Sequence, residues 1–264
     1  MALQRYARLE VEGRPVFAEL VNGNAAMLTA APWMDGREGG VLRGFDAEGR
    51  GGARRLPPVS PSKILCVGRN YRAHAAELGN AVPAEPLLFL KPPSALVGPD
   101  DAIELPPEDV SSRVEHEAEL AVVIGRRIRR ATPEQALEAV FGLTLAGDIT
   151  ARDLQKKDGQ WTRAKGMDGF CPVGPVVVAG ADPSDLEIRC RVNGEVRQQG
   201  STRDMIFSVG EVLAYASRFM TLEPGDLVLT GTPSGVGPLR PGDRLEIESP
   251  AIGTLSLPIR AAAP

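Results

Sequence analysis

Histidine and cysteine are scarce in this chain, and their scarcity limits the chemistry it can perform. Its 264 residues include only two histidines, His74 and His116. Two histidines exclude a multi-histidine metal site and leave little room for a serine or cysteine triad. The three cysteines, Cys66, Cys171 and Cys190, are odd in number and form no CxxC pair, so we predict neither a zinc site nor a disulfide framework. Each lies in an apolar, strand-like context, which favours core packing.

Long apolar runs and excess positive charge are absent as well. No stretch approaches the roughly 20 uninterrupted apolar residues of a membrane span, and the first residues lack the apolar core of a signal peptide. The formal net charge is -4, whereas a nucleic-acid-binding protein usually carries a basic stripe. A hydrophobic content of 43% is typical of a globular protein. We therefore expect a cytoplasmic protein that binds neither nucleic acid nor membranes.

Short strand-like segments separated by turns dominate the chain. Residues 1–58 alternate polar and apolar side chains around an Asn22-Gly23 turn, which predicts a small N-terminal β region. Within it, residues 35–55 are rich in glycine and arginine, so this part is predicted to be a linker. Residues 59–264 form the predicted catalytic domain.

Helices are few and short. We predict them over 69–80, 131–141, 151–157 and 208–219. Thr132 is expected to cap the second helix, and Thr150 with Asp153 to form a capping box at the start of the third. The small number of helices, and the lack of a G-x-G-x-x-G run after a first strand, argue against a doubly wound sheet. The predicted fold is α+β and mainly β, with rolled or sandwiched sheets.

Three acidic residues carry most of the functional information. Glu117 and Glu119 stand two apart at the start of the apolar run 120–124, so in a strand they share one face. Burying two carboxylates side by side is costly, and a hard divalent cation with oxygen ligands offsets that cost. Asp148, in LTLAGDIT, is a third candidate ligand. A solvated strand end with two surface glutamates would show the same spacing.

Six motifs of the chain occur in the order seen in the fumarylacetoacetate hydrolase family, which residues 60–258 resemble. They are CVGRNYRAHAAELG, LFLKPPSALVG, HEAELAVVIG, GDITARDLQKKDGQWTRAKGMDGFCPVGP, TRDMIFSVGEVLAY and LTGTPSGVGP. The resemblance implies a mixed β-roll core, a smaller N-terminal region, a homodimer, and Mg²⁺ or Mn²⁺ as the cofactor. It also implies that the metal ligands are Glu117, Glu119 and Asp148, with Glu115 as a flanking acid.

Three residues are candidates for catalysis. His74 and Glu77 stand three apart on the first predicted helix, so they can share a face, and a neighbouring carboxylate orients an imidazole and raises its basicity. The resemblance places them in the family's His-x-x-Glu position, on a segment that closes over substrate. It places Lys165 facing the metal, where an ammonium can stabilise an enolate or transfer a proton. A salt bridge to a spare carboxylate is the alternative for Lys165, and His116 is expected to be structural.

Four further residues are candidates for holding an anionic substrate. Arg69, Arg152 and Gln155 are the polar candidates, and the last two stand three apart on one predicted helix. Thr232 lies in the turn TGTPSG, where its hydroxyl and the loop amides can hold a carboxylate. This turn lacks the spacing and the lysine of a phosphate loop. Lys91 either contacts substrate or ends a strand.

The expected function is that of a metal-dependent enzyme acting on 2-oxo or 2-hydroxydienoic acids, mostly dicarboxylates from aromatic breakdown. The motifs are most similar to 2-hydroxyhepta-2,4-diene-1,7-dioate isomerases, which implies proton migration through an enolate stabilised by the cation. Hydrolysis of an acylpyruvate and decarboxylation of an oxaloacetate-type acid are the alternatives within the family. A non-catalytic β-sandwich with a structural cation is the alternative outside it.

Overall fold

A computed structural model describes residues 3–34 and 36–262. The strands of its first half are β1 Gln4–Val11, β2 Arg14–Val21, β3 Asn24–Leu28, β4 Glu38–Arg43, β5 Arg54–Leu56, β6 Ile64–Gly68, β7 Leu87–Lys91, β8 Leu96–Val97, β9 Ile103–Leu105, β10 Val114–His116 and β11 Ala118–Ile124. Those of the second half are β12 Val140–Gly147, β13 Thr150–Ala151, β14 Cys171–Ala179, β15 Glu187–Val192, β16 Glu195–Ser201, β17 Leu227–Leu229, β18 Gly237–Pro238, β19 Arg244–Ser249 and β20 Gly253–Ala261.

The helices are short, so the fold is α+β and mainly β, as predicted. They are α1 Arg72–Glu77, α2 Pro133–Glu138, α3 Arg152–Asp158, α4 Thr162–Lys165 and α5 Val209–Phe219. Within the described residues, none of the helices has the length and apolar character required to span a membrane.

Three sheets carry the fold. A 12-stranded sheet has the order β4-β3-β2-β1-β14-β12-β11-β17-β6-β7, with β5 beside β1 and β8 beside β14. A five-stranded sheet has the order β16-β15-β19-β20-β9, and a three-stranded sheet the order β13-β10-β18. Because β1 pairs antiparallel with β14, the N-terminal strands extend the same sheet that contains β11 and β12. The domain boundary at residue 58 stays a prediction.

The prediction of a linker over residues 35–55 is wrong for the parts of this stretch that form strands. Within residues 35–55, Glu38–Arg43 pairs with β3, and β5 begins at Arg54 and pairs with β1. The glycines of this stretch hid the strand pattern, because a strand's alternation is read from its side chains. Asp35 lies outside the described residues.

Strand β11 is buried on both faces, as its apolar run predicts. Every residue from Ala118 to Ile124 is buried. Leu120, Val122 and Ile124 enter the larger hydrophobic core, whereas Ala121 and Val123 enter a second one. The strand therefore separates two apolar cores, with β12 on one side and β17 on the other.

Each of the four predicted helices is present, but some of the predicted boundaries are wrong. Thr132 caps α2 through a capping box with Gln135, as expected for the threonine. However, α2 ends at Glu138 rather than near 141, because Val140 and Phe141 begin β12. The strand pairing with β11 outweighs the helix propensity of this segment.

The predicted capping box between Thr150 and Asp153 does not form. Helix α3 has Ala151 at its N-cap and no side-chain cap. The hydroxyl of Thr150 instead donates to the carbonyl of Asp148 at 2.8 Å, and Asp153 accepts from Ser111 at 2.6 Å. Tertiary partners thus replace the local bonds, and Thr150 shapes the turn that carries Asp148.

Asn70 connects three segments next to the end of β6. This fully buried side chain donates to the carbonyls of Phe207 at 3.0 Å and Thr230 at 2.8 Å. Its Oδ1 accepts from the backbone N–H of Phe207 at 2.8 Å. The amide therefore holds the approach to α5 and the end of β17 against the segment that leads into α1.

We expect Asn70→Ala to lower the free energy of unfolding by roughly 3 kcal/mol, because one buried and two partly buried backbone groups lose their partner. Urea denaturation measures this loss. Asn24→Ala is the control, since Asn24 makes an exposed bond to the carbonyl of Asn22, and a change within about 0.5 kcal/mol is expected. Equal losses in both variants would contradict the assigned role.

Candidate active site

Three carboxylates meet where β11 and β12 pair. Glu117 lies in the break between β10 and β11, Glu119 lies within β11, and Asp148 follows β12. The pairing of Ala118 with Gly147, and a 2.9 Å bond from the Asp148 N–H to the Glu117 carbonyl, bring the three together. One oxygen from each lies within 4.8 Å of the others, and all three side chains are buried. The structure thus holds a buried acidic triad that could hold a metal ion.

Two buried lysines neutralise part of this charge. Nζ of Lys165 lies 2.8 Å from Glu117 Oε2 and 2.5 Å from Asp148 Oδ2. Nζ of Lys91 lies 2.6 Å from Asp148 Oδ1. Lys91 is therefore part of the site. The sequence alone had left open whether this lysine contacts substrate or ends a strand. The signal was present, since a lysine in an apolar strand needs an acidic partner.

Arg152 is held in place by acidic partners. Its Nε lies 2.7 Å from Glu115 Oε2, and its Nη2 lies 2.5 Å from Glu117 Oε1. Its Nη1 donates to Gln155 Oε1 at 2.5 Å. Glu115 thus contacts the site through Arg152 and stays outside the acidic triad. A substrate carboxylate at Arg152 would have to compete with these bonds.

The two glutamates of the triad have opposite electrostatic environments. Burial opposes ionisation of Glu117, yet Lys165 and Arg152 hold its pKa well below the usual value. Burial raises the pKa of Glu119 well above the usual value, and the charges of Asp148 and Glu117 raise it further. The pKa of Lys165 is raised despite burial because Asp148 and Glu117 favour its charged form.

Glu119 is therefore the carboxylate of the triad that has no cationic partner among the described residues. Its Oε2 accepts from the backbone N–H of Gly231 at 2.6 Å, and no lysine or arginine within the described residues forms an ion pair with it. A hard divalent cation favours carboxylate oxygens. The residues present fit such a cation, with Glu117, Glu119 and Asp148 as the ligands.

The predicted histidine–glutamate pair forms at α1. His74 is buried, and its Nδ1 lies 3.3 Å from Glu77 Oε2. The backbone N–H of Gly235 donates to Glu77 Oε1 at 2.9 Å. Glu77 thus orients the imidazole and ties α1 to the loop that follows β17.

A single cavity of about 770 Å³ collects the predicted site residues. All ten line it, namely Arg69, His74, Glu77, Glu117, Glu119, Asp148, Arg152, Gln155, Lys165 and Thr232. The Thr232 hydroxyl already donates to the carbonyl of Ala118 at 2.8 Å and accepts from Gln198 at 2.7 Å. Carboxylate binding in this turn would therefore depend more on the loop amides. His116 lies outside the cavity lining, 3.0 Å from Gln198.

Sequence reasoning missed the apolar part of the cavity. Leu87, Phe89 and Trp161 line it together with Gly68. Their signal was weak, because an aromatic residue in a strand or turn is more often part of the core.

Comparisons with known proteins found a matching family model, similar sequences and similar structures. The family model for the C-terminal part of fumarylacetoacetate (FAA) hydrolase matches residues 63–260. Protein Rv2993c of Mycobacterium tuberculosis is 50% identical over 209 residues, covering 78% of each chain. Oxaloacetate tautomerase YisK of Bacillus subtilis is 46% identical over 213 residues, covering 76% of this chain and 70% of the relative. A solved structure, 2-hydroxyhepta-2,4-diene-1,7-dioate isomerase from Mycobacterium marinum, matches with a TM-score of 0.88 and 41% identity, covering 99% of this chain and 100% of that one.

We expect Glu119→Gln to weaken Mn²⁺ binding by about 100-fold or more, since the loss of outer partners alone typically costs 10–100-fold. Isothermal titration calorimetry measures this affinity. Without metal, the Tm should stay the same or rise, because the replaced carboxylate is repelled by its acidic neighbours and forms no ion pair among the described residues.

Glu115→Gln is the matched control for this experiment. Glu115 binds Arg152 and Arg113 rather than joining the triad, so the substitution should lower the Tm and change Mn²⁺ affinity less. Parent-like Mn²⁺ binding by Glu119→Gln would exclude Glu119 as a ligand.

Proposed function

Because the chain belongs to the fumarylacetoacetate hydrolase family, whose members are enzymes, we propose that it isomerises 2-oxo and 2-hydroxydienoic acids by proton transfer. The proposed reaction type is that of a 2-hydroxyhepta-2,4-diene-1,7-dioate isomerase, the name given to the similar Mycobacterium marinum structure. The substrate would be a small anionic acid, and we favour a dicarboxylate. We further propose that the chain acts as a homodimer.

One observation carries this proposal: a single cavity contains a buried ammonium and a buried imidazole beside the acidic triad. Lys165 bridges Glu117 and Asp148, and His74 lines the same cavity. Moving a proton along a carbon chain needs a base to remove it and positive charge where the enolate forms. These two side chains supply both.

The roles of the residues follow from their contacts. His74 would accept the proton of the 2-hydroxyl group of a dienoic acid, or a carbon 3 proton of a 2-oxo acid, with Glu77 fixing the orientation of its ring. Lys165, whose raised pKa keeps it protonated, would hold the developing negative charge and can return a proton. Burial strengthens both effects, since charges interact more strongly where water is excluded.

Mg²⁺ or Mn²⁺ is the proposed cofactor. Bound by Glu117, Glu119 and Asp148, it would act as a Lewis acid that withdraws electron density from the 2-oxo group. Glu119 offers carboxylate oxygens but forms no ion pair with a lysine or arginine of the described residues, which supports this choice.

Two other reactions have specific support. The names of similar proteins favour oxaloacetate tautomerisation, which uses the same proton removal on a shorter substrate. The His74–Glu77 pair also suits activation of a water molecule, as in acylpyruvate hydrolysis. Oxaloacetate-type decarboxylation ranks third. A purely structural cation would not need an open cavity with His74 and Lys165, so we rank that alternative last.

Turnover in ²H₂O separates these reactions. With 2-hydroxyhepta-2,4-diene-1,7-dioate and Mg²⁺ or Mn²⁺ present, we expect NMR to detect deuterium at carbon 5 and a double bond between carbons 3 and 4 without loss of carbon atoms, and EDTA should stop the reaction. Deuterium at carbon 3 alone would instead indicate tautomerisation. Release of pyruvate as the main product would instead identify C–C cleavage or decarboxylation.

We expect His74→Asn to lower kcat by about 10²- to 10⁴-fold, the usual contribution of a general base. Enol absorbance measures the rate. Arg72→Gln is the control on the same helix, since Arg72 is exposed and does not line the cavity. Parent-like turnover by His74→Asn would rule out this histidine as the base.

A further inference from the structure

An apolar wall lies beside the polar residues of the cavity. The rings of Phe89 and Trp161 pack edge to face, with centroids 5.2 Å apart at an interplanar angle of 72°. Both rings line the cavity together with Leu87 and Gly68. We refer to these four residues as the aromatic wall. None of them has a role in the proton transfer described above.

Gly68 allows the indole to lie against the end of β6. A Cβ at this position would stand 3.1 Å and 3.3 Å from two ring carbons of Trp161 and 3.2 Å from Cδ2 of Leu87. These separations are tighter than ordinary van der Waals contact, so an added methyl group would push the ring or Leu87 aside. The position of Trp161 therefore depends on the absence of a side chain at residue 68.

The wall is joined to the polar site through Lys165. Its Nζ lies 5.2 Å from the centroid of the Phe89 ring, within the range of a cation–π contact. The same Nζ contacts Glu117 and Asp148. A substrate whose oxygen atoms lie at Lys165 therefore has Phe89 and then Trp161 beside its carbon chain.

The size of the cavity agrees with an extended ligand. Its volume of about 770 Å³ is in the range of sites that hold drug-sized molecules, roughly 300–1,000 Å³. A four-carbon acid would leave most of the wall uncovered. A flat conjugated chain, in contrast, can pack on aromatic rings.

We infer that the aromatic wall is a subsite for the unsaturated chain of an extended 2-hydroxydienoic acid, and that Trp161 discriminates such a substrate from a compact 2-oxo acid. This inference rests on the proposed function and deepens it. Trp161 and Phe89 determine specificity through contact with the carbon chain, whereas the reacting end of either substrate meets the same polar residues.

Kinetics with two substrates test the inference. Trp161→Ala should lower kcat/KM for 2-hydroxyhepta-2,4-diene-1,7-dioate by about 10- to 100-fold, mainly through KM, as expected for lost apolar contacts. For oxaloacetate the change should stay below about threefold, since a short substrate does not reach the indole. Gly68→Ala should act in the same direction with a smaller effect.

Leu90→Ala is the matched control. Leu90 lies in the same strand as Phe89, is 48% exposed and does not line the cavity, so neither substrate should be affected. Equal losses for both substrates in Trp161→Ala would show that the wall only supports the fold. Unchanged kinetics for the extended substrate would also overturn the inference.

Fluorescence gives a readout that does not need turnover. Trp33 and Trp161 are the two tryptophans of the chain, so Trp33→Phe leaves Trp161 as the single probe. With Mg²⁺ present, trans,trans-muconate, a conjugated dicarboxylate, should quench its emission saturably, whereas oxalate should not. Absence of quenching by muconate would overturn the inference. If the parent turns over neither substrate but muconate quenches, the proposed function fails while the subsite stands.

Discussion

An excess of buried negative charge is the constraint on which the rest of this structure depends. Four buried carboxylates face three buried cations at the junction of β10, β11 and β12. The carboxylates belong to Glu115, Glu117, Glu119 and Asp148, and the cations to Lys91, Arg152 and Lys165. An unpaired buried charge is expensive, so the fold brings these groups together from separate strands and helices. The charge that remains is concentrated at Glu119, where a divalent cation fits.

The same arrangement links the site to the surrounding architecture. Glu77 receives the Gly235 N–H and orients His74, so α1 and the loop after β17 hold the imidazole together. Asn70 fastens the segment before α1 to the end of β17. On the other side of the cavity, Lys165 contacts both the carboxylates and the Phe89 ring. One ammonium therefore marks the border between the polar reacting end and the apolar wall.

Much of the site could be predicted from the sequence, and the failures have a common cause. The apolar run of β11 correctly indicated a strand buried on both faces, and all ten predicted site residues line one cavity. The capping box at Thr150 failed because Asp153 found tertiary partners in Ser111 and Ser112. Lys91 was left open because its partner, Asp148, lies 57 residues away along the chain. Local patterns do not reveal such distant partners.

The sequence by itself determined which chemistry is available: oxygen ligands for a cation, a histidine three residues before a glutamate at His74, and a strand that must be buried on both faces. These properties follow from residue type and short-range spacing. Only the tertiary structure decided how the charges are distributed: in the described part of the chain, two lysines and an arginine pair with Glu117 and Asp148, and none pairs with Glu119. It also decided that Gly68 makes room for Trp161. Both depend on side chains brought together by strand pairing and packing, which act over distances that sequence spacing does not encode.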